Sequence, residues 1–434
     1  MDTAELENWI QQACPGIVEK HSDRALSLPK NLLRFYCNGQ PSVAVGSDAK
    51  DKLRINSVLN GIQWYLRRPG TVAGTLNIII GCGPKENTAS MKEHLGAMST
   101  LILGVNGDPL IQLWSIESGR EPTPVIPETT AFSAHLGGKR AARWNAMLMA
   151  VVHDSVDGMA LELVNGVRDD RLRLYPKLSN NSANRRWQVR LDGAEIGYVG
   201  DDDFEFRINT KVRNIGEQPL KGWIDSGLPI DLRSGAPVGR IYNRLEAENA
   251  IDDVEKLIRV WGGDSGTSLL DNRQPEHRLE SRVLSGQIRL RADGADLEPV
   301  IPSLDGSLRT AQFPTLWGDV DHTRRYLDAL LRGGESQPWA IEIKDHNTGG
   351  HGQYLRDGIA QAVLYRHFIR SAAELDPWFD ELHLQRDRCR AGLAFPSALP
   401  GTDGAMSDLK RIAKLVDVEV IEFEMPRGMK LDGD

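Results

Sequence analysis

The chain has little cysteine: Cys14, Cys37, Cys82 and Cys389 are the four in 434 residues, and no two stand at C-x-x-C spacing. That scatter argues against a structural zinc or iron–sulfur site and suits a reducing cytoplasm, where thiols stay unpaired. Long apolar runs are missing too. The longest, TLNIII and NAMLMAVV, are core-sized and fall far short of the ~18 residues of a membrane span. The start, MDTAELENWIQQACPG, is acidic and lacks the basic and apolar regions of a signal peptide, so a soluble cytoplasmic protein with no membrane partner is expected. Basic residues are outnumbered, 52 Lys and Arg against 60 Asp and Glu, for a formal net charge of -8. This excludes a uniformly basic surface but leaves room for a local positive groove.

What is present is globular. Glycine and proline are spread along the chain rather than gathered into a linker, and 434 residues exceed what one core usually organises, so several domains are expected. The first part, over 1–120, alternates helical and strand-like pieces. A helix is predicted over 48–68, where Leu53, Ile55, Val58, Leu59, Ile62, Tyr65 and Leu66 share a stripe, then a strand over 75–83, a helix in TASMKEHLGAM and strands in TLILGV and LIQLWSI. Gly81 and Gly83 follow a strand as phosphate-cradling glycines would, but the third glycine of a dinucleotide fingerprint is missing, and tight-turn glycines are the better reading. The proline-rich stretch REPTPVIPETT marks a boundary.

The middle part, 121–265, opens with a helix over 139–153 and then reads as mostly β: MALELVNG, RLRLYP, RRWQVRLDG, AEIGYVG and FEFRINTKVR. Its Arg171, Arg173, Arg185, Arg186 and Arg190, beside Tyr175 and Trp187, form either a surface for a phosphate backbone or the basic face of an ordinary sheet. An amphipathic helix is predicted over 241–261. From 275 to 425 the order becomes helix, strand, hairpin, strand, helix, strand, helix, strand.

The hairpin of this last part carries the chemistry. RRYLDALL is strand-like, RGGESQP turns, and WAIEIK returns, with Glu342 and Lys344 on one face and Ile341 and Ile343 on the other. Charges on a strand otherwise made of Trp and Ile are expensive to bury unless they are paired or bind something. If Leu331 pairs with Trp339, Asp328 stands opposite Glu342. Two carboxylates closing on one face repel unless a cation sits between them or one takes a proton, and a hard divalent ion, Mg²⁺ above all, answers that need. The bland alternative is a salt-bridged pair on a solvent-facing sheet. After the hairpin, Tyr354, Gly358, Gln361 and Tyr365 recur on one helix face; before it, Glu276 and Glu280 share a face, and Glu280 offers a further carboxylate.

The order of a helix with Glu280, a hairpin with Asp328 and Glu342-x-Lys344, a helix with Gln361-x-x-x-Tyr365, the strand CRAGLAFP, the helix MSDLKRIAKLV and the strand VEVIEF resembles the PD-(D/E)XK nuclease superfamily, in particular its RecB-type branch. The resemblance covers about 275–425 and implies a restriction-endonuclease-like α/β core on a mixed central sheet, preceded by an α/β region and a mostly β region. It also implies Mg²⁺-dependent hydrolysis of phosphodiester bonds, with Mn²⁺ as a substitute. Asp328, Glu342 and the Ile343 carbonyl, with Glu280, would be metal ligands, Lys344 would stand beside the water, and Gln361 would contact water or phosphate. Leu327 stands where many members have proline, and Asp319 and Asp321 are rival carboxylates. His346, His351 and His367 lie nearby without an assigned role, while Arg324, Arg325, Arg332, Arg386, Arg388 and Arg390 are candidates to line a groove for a nucleic acid.

Two other readings stay open: a nuclease fold retained for binding without catalysis, and a nucleotide-sensing protein whose function lies in the first 265 residues. Family analogy favours DNA as substrate and a role in repair or antiviral defence, and a homodimer if both strands of a duplex are cut.

Overall fold

The structure, a computed structural model, describes residues 1–14, 32–47, 51–67, 74–82, 98–102, 110–125, 139–153, 155–176, 187–206, 221, 223–230, 239–261, 275–303, 305–316, 324–334, 336–345, 351–397 and 403–425. It is a multidomain α/β architecture built on three sheets. The first holds β1 (Leu32–Cys37), β2 (Gln40–Val45), β3 (Thr75–Cys82), β4 (Leu110–Glu117) and β5 (Thr123–Pro124) in that order, with β2, β3 and β4 mutually parallel. Helix α1 (Thr3–Ala13) begins with a capping box between Asp2 and Glu5 and covers one face through Leu6 and Ile10. Helix α2 (Asp51–Leu66) covers the other through Val58, Leu59 and Ile62.

The second sheet is preceded by α3 (Lys139–His153) and α4 (Gly158–Val167) and is an antiparallel meander of β6 (Leu172–Pro176), β7 (Trp187–Leu191), β8 (Ala194–Val199), β9 (Asp203–Phe206) and β10 (Arg240–Asn243). Helix α5 (Ala247–Trp261) closes its core with Ala250, Val254 and Leu257.

The third sheet is mixed and has seven strands. After α6 (Pro275–Leu284) come β11 (Leu290–Ala292), β12 (Ala295–Pro299), β13 (Ala311–Leu316), β14 (Arg324–Gly333) and β15 (Gln337–Ile343). Then follow α7 (His351–Ser371), α8 (Asp376–Glu381), β16 (Arg390–Pro396), α9 (Asp403–Leu415) and β17 (Val418–Phe423). The strand order is β11-β12-β14-β15-β16-β17, with β13 also on β14; β14 and β15 are antiparallel, and β15, β16 and β17 are parallel.

Two contacts join these units. One continuous apolar cluster runs from Val58, Leu59 and Ile62 of α2 to Leu355, Ile359 and Val363 of α7, so the first and third sheets share a core across a helix pair. The turn between β7 and β8 grips α6. Asp192 is ion-paired with Arg278, whose Nε lies 2.6 Å from its Oδ2, and with Arg282, whose Nη2 lies 3.0 Å from its Oδ1, and Gly193, at φ +86°, lies so close that a Cβ there would stand 2.4 Å from the His277 carbonyl. Only glycine fits that position.

Several expectations are corrected. MALELVNG is α4, not a strand; its buried Met159, Ala160, Leu163 and Val167 follow the helical period, which outweighed a short apolar run. Residues 100–102 of TLILGV are helical. The helix expected from 241 begins at Ala247, because Asn243 caps a 3-10 turn and Ile241 and Tyr242 pair with β9. Cys14 and Cys37 form a disulfide that ties the end of α1 to β1, which sequence spacing did not reveal, while Cys82 and Cys389 are buried thiols outside it. Gly81 packs against the Met1 backbone rather than an open turn, and Gly83 lies outside the described residues. Among the described residues no helix is long and apolar enough to cross a membrane.

Candidate active site

The β14–β15 hairpin has the expected register: Leu331 faces Trp339, and continuing the pairing past Ala329 and Ile341 sets Asp328 opposite Glu342. Asp328 Oδ2 accepts from the Ile343 backbone N–H at 2.8 Å, which fixes its carboxyl at the open end of the hairpin. Glu342 is 2% exposed and Lys344 5%. Lys344 Nζ donates to Glu342 Oε1 at 2.6 Å and to Glu276 Oε1 at 3.0 Å, and its ammonium lies 5.2 Å from the centre of the Tyr354 ring. The expensive charges on this strand are thus paired with each other and with helix α6, and the site is not a solvent-facing salt bridge.

Helix α7 closes over the hairpin through the face foreseen in sequence. The Tyr354 hydroxyl stands within hydrogen-bonding reach of Glu276 and Asp345. Gly358 lets the helix approach: a Cβ there would be 2.5 Å from Leu393 Cδ1 and 3.2 Å from Lys344 Cγ. Tyr365 donates to the Tyr326 carbonyl at 2.9 Å, and Gln361 Nε2 lies 3.5 Å from the Tyr365 hydroxyl rather than on a carboxylate. From α6, Glu280 is wholly buried, with His277 Nδ1 2.9 Å from its Oε2.

The electrostatics follow from burial. Asp328 is pushed well above the usual carboxylate range by burial first and then by the charges of Glu342 and Glu280, against the opposing pull of Lys344. Burial also raises Glu342, with Lys344 pulling the other way. For Lys344 burial alone would favour the neutral amine, but Glu342, Asp328 and Glu276 outweigh it and hold the ammonium charged. Asp345 is raised by burial as well. In the metal-free site burial and mutual repulsion therefore disfavour two charged carboxylates at Asp328 and Glu342.

Among the described residues, no group of three His, Cys, Asp or Glu side chains is set to hold a metal ion unaided. Yet Glu342 Oε2 and Glu280 Oε1 are buried oxygens with no donor. Those oxygens, with the Asp328 carboxyl opposite Glu342, fit a hard cation bound by a couple of carboxylates and several waters, the habit of Mg²⁺, and not a closed protein cage.

Other expected residues fall elsewhere. Asp319, Asp321, His346, Arg185 and Arg186 lie outside the described residues, as do the side chains of Arg324, Arg325 and His351. His367 lies 3.3 Å from Ser371 on α7. The groove expected from Arg332, Arg386, Arg388 and Arg390 is corrected by register. Arg332 pairs with Pro338 and Arg390 with Trp339, at the end of the sheet remote from Ile343 and Ala394. There Arg332 caps the Leu382 carbonyl and Arg386 holds Asp376 and the Ile369 carbonyl. In the middle sheet Arg171 is committed to Asp169, and Arg190 is buried with its guanidinium 4.2 Å from the Tyr175 ring centre, so these two do not present a basic surface.

Sequence reasoning set Glu276 and Tyr354 on these helix faces without giving either a role, and it missed Asp345. Glu276 carried a signal, one turn before Glu280 on the same helix face. Comparison with protein-family models, with curated proteins and with solved structures gave no match.

Proposed function

We propose that the chain is a metal-dependent phosphodiester hydrolase with a restriction-endonuclease-like core, acting on nucleic acid and most readily on DNA. The observation that carries this reading is the trio at the hairpin's open end: half-buried Asp328 opposite buried Glu342, with buried Lys344 two residues on. Asp328 and Glu342 would hold the ion, Mg²⁺ or Mn²⁺, with the Ile343 carbonyl and Glu280 at its margin. The bound ion would supply Lewis-acid polarisation of a phosphoryl oxygen and a more acidic water. The chain's own groups do the rest. Lys344, kept charged by three carboxylates, neutralises charge growing on the phosphoryl oxygens. Glu342 orients the attacking water and takes up its proton. Glu276 and Tyr354 fix the Lys344 ammonium so that it need not reorganise as the charge develops.

The test is incubation of the purified chain with circular DNA, linear DNA and RNA in Mg²⁺, Mn²⁺ or EDTA, beside Lys344→Met. Cleavage with either ion, none in EDTA, and a loss of about a hundredfold or more in Lys344→Met are expected, corresponding to a few kcal/mol of transition-state stabilisation. No cleavage of any of the three substrates would favour a binding role for the same fold.

A further inference from the structure

On the side of α7 turned away from the hairpin, Arg356 points at α2. It is 4% exposed, its Nη1 donates to Gln63 Oε1 at 2.6 Å, and its Nε is buried with no acceptor. Around it stand Arg34, 2% exposed and bonded to Asn60, and Arg67, which is bonded to Asp408. Gln63 Nε2 also donates to Asp408, at 3.2 Å. Burial, with Arg34 and Arg67 close by, pushes the Arg356 guanidinium down to about 10, and the neighbouring Asp357 offsets this only in part. Buried charges are ordinarily paired and fully hydrogen-bonded. Here Arg356 Nε has no acceptor, and Asp408, next along the bonded chain through Gln63, is already engaged by Arg67 and Gln63.

We propose that Arg356, with Arg34, Arg67, Asn60 and Gln63, forms a binding site for a phosphate-bearing small anion between α2 and α7. The guanidiniums supply the planar donor forks that phosphate oxygens accept, and the amides of Asn60 and Gln63 hold two of those forks in place. Trp64 lies beside the site, with the Arg34 guanidinium 5.8 Å from its ring and Tyr36 6.0 Å away, an apolar wall suited to the organic part of a nucleotide. The site is separate from the carboxylate cluster, although Arg356 is two residues from both Tyr354 and Gly358 on the same helix.

The experiment is calorimetry and thermal melting of the full chain in EDTA, so that no cation bridges nucleotides to the carboxylates, with pyrophosphate, ATP and adenosine as probes. ATP or pyrophosphate should bind and raise the melting temperature, while adenosine should not. Equal effects of the two anions would identify an inorganic phosphate site, and ATP alone a nucleotide site. Arg356→Met should weaken binding at least tenfold and, with no anion present, melt at or above the wild-type temperature, because a buried guanidinium with an unmet donor is gone. Absence of anion binding, binding unchanged in Arg356→Met, or adenosine binding as well as ATP would overturn the proposal. So would an Arg356→Met protein that fails to fold or melts below wild type without anion, since the guanidinium's charge would then already be satisfied within the chain.

Discussion

Asp328 shows how much a single position depends on its surroundings. Its pairing with Glu342 was legible because a hairpin with a glycine turn fixes register, and Leu331 against Trp339 decides every pair beyond it. Its raised affinity for a proton was not legible, since that rests on burial first, then on Glu342 and on Glu280 arriving from α6. The sign of the pH effect follows. A carboxyl raised in the folded state binds a proton there that the unfolded chain gives up near its ordinary value of about 4. The stability it contributes is present below that value and is lost as pH rises through the raised folded value. Asp328→Asn keeps an acceptor for the Ile343 N–H and removes the titration. In urea unfolding of the metal-free protein, wild type should lose more stability than Asp328→Asn between about pH 5 and about pH 8. Equal losses would show that Asp328 does not hold the proton.

Helix α7 borders both proposed sites because its faces differ. The amide, phenol and glycine pattern of Tyr354, Gly358, Gln361 and Tyr365 pointed to the hairpin, and the structure places that face there. Arg356, on the opposite face, drew no reading from sequence, because nothing there announces that α2 packs over it. The same ignorance of packing misassigned α4, whose apolar residues satisfy a strand as well as a helix until their burial is known. Gly358 tests the closeness of α7 and the hairpin. In an open helix Gly→Ala stabilises by about 1 kcal/mol. Here the added methyl would meet Leu393 Cδ1 and Lys344 Cγ, so the sign should reverse, to a loss of about 1–3 kcal/mol from overpacking. Because Lys344 must give way, cleavage should fall by about tenfold or more. A Gly358→Ala protein that is both more stable and fully active would show that α7 does not press on Lys344.

At the scale of the molecule, the candidate site is a product of all three sheets. The third supplies the hairpin, the turn of the second holds α6 and with it Glu276 and Glu280, and α2 from the first lies against α7 through a common core. Sequence order conveyed the succession of α/β, mostly β and α/β regions, because periodicity and turn residues are local. It did not convey the Asp192 grip on Arg278 and Arg282 or the shared α2–α7 core, which join residues far apart in the chain. Everything proposed for the reaction depends on the two opposed carboxylates of the hairpin, which burial inclines toward a proton, taking a divalent cation in its place. Isothermal calorimetry of Mg²⁺ binding at neutral pH, wild type beside Asp328→Ala, measures that exchange. Wild type should bind the ion and release protons to the buffer, and Asp328→Ala should stay folded and lose both signals. A folded Asp328→Ala protein that binds Mg²⁺ as wild type does, with the same proton release, would contradict the assignment of the hairpin as the metal site.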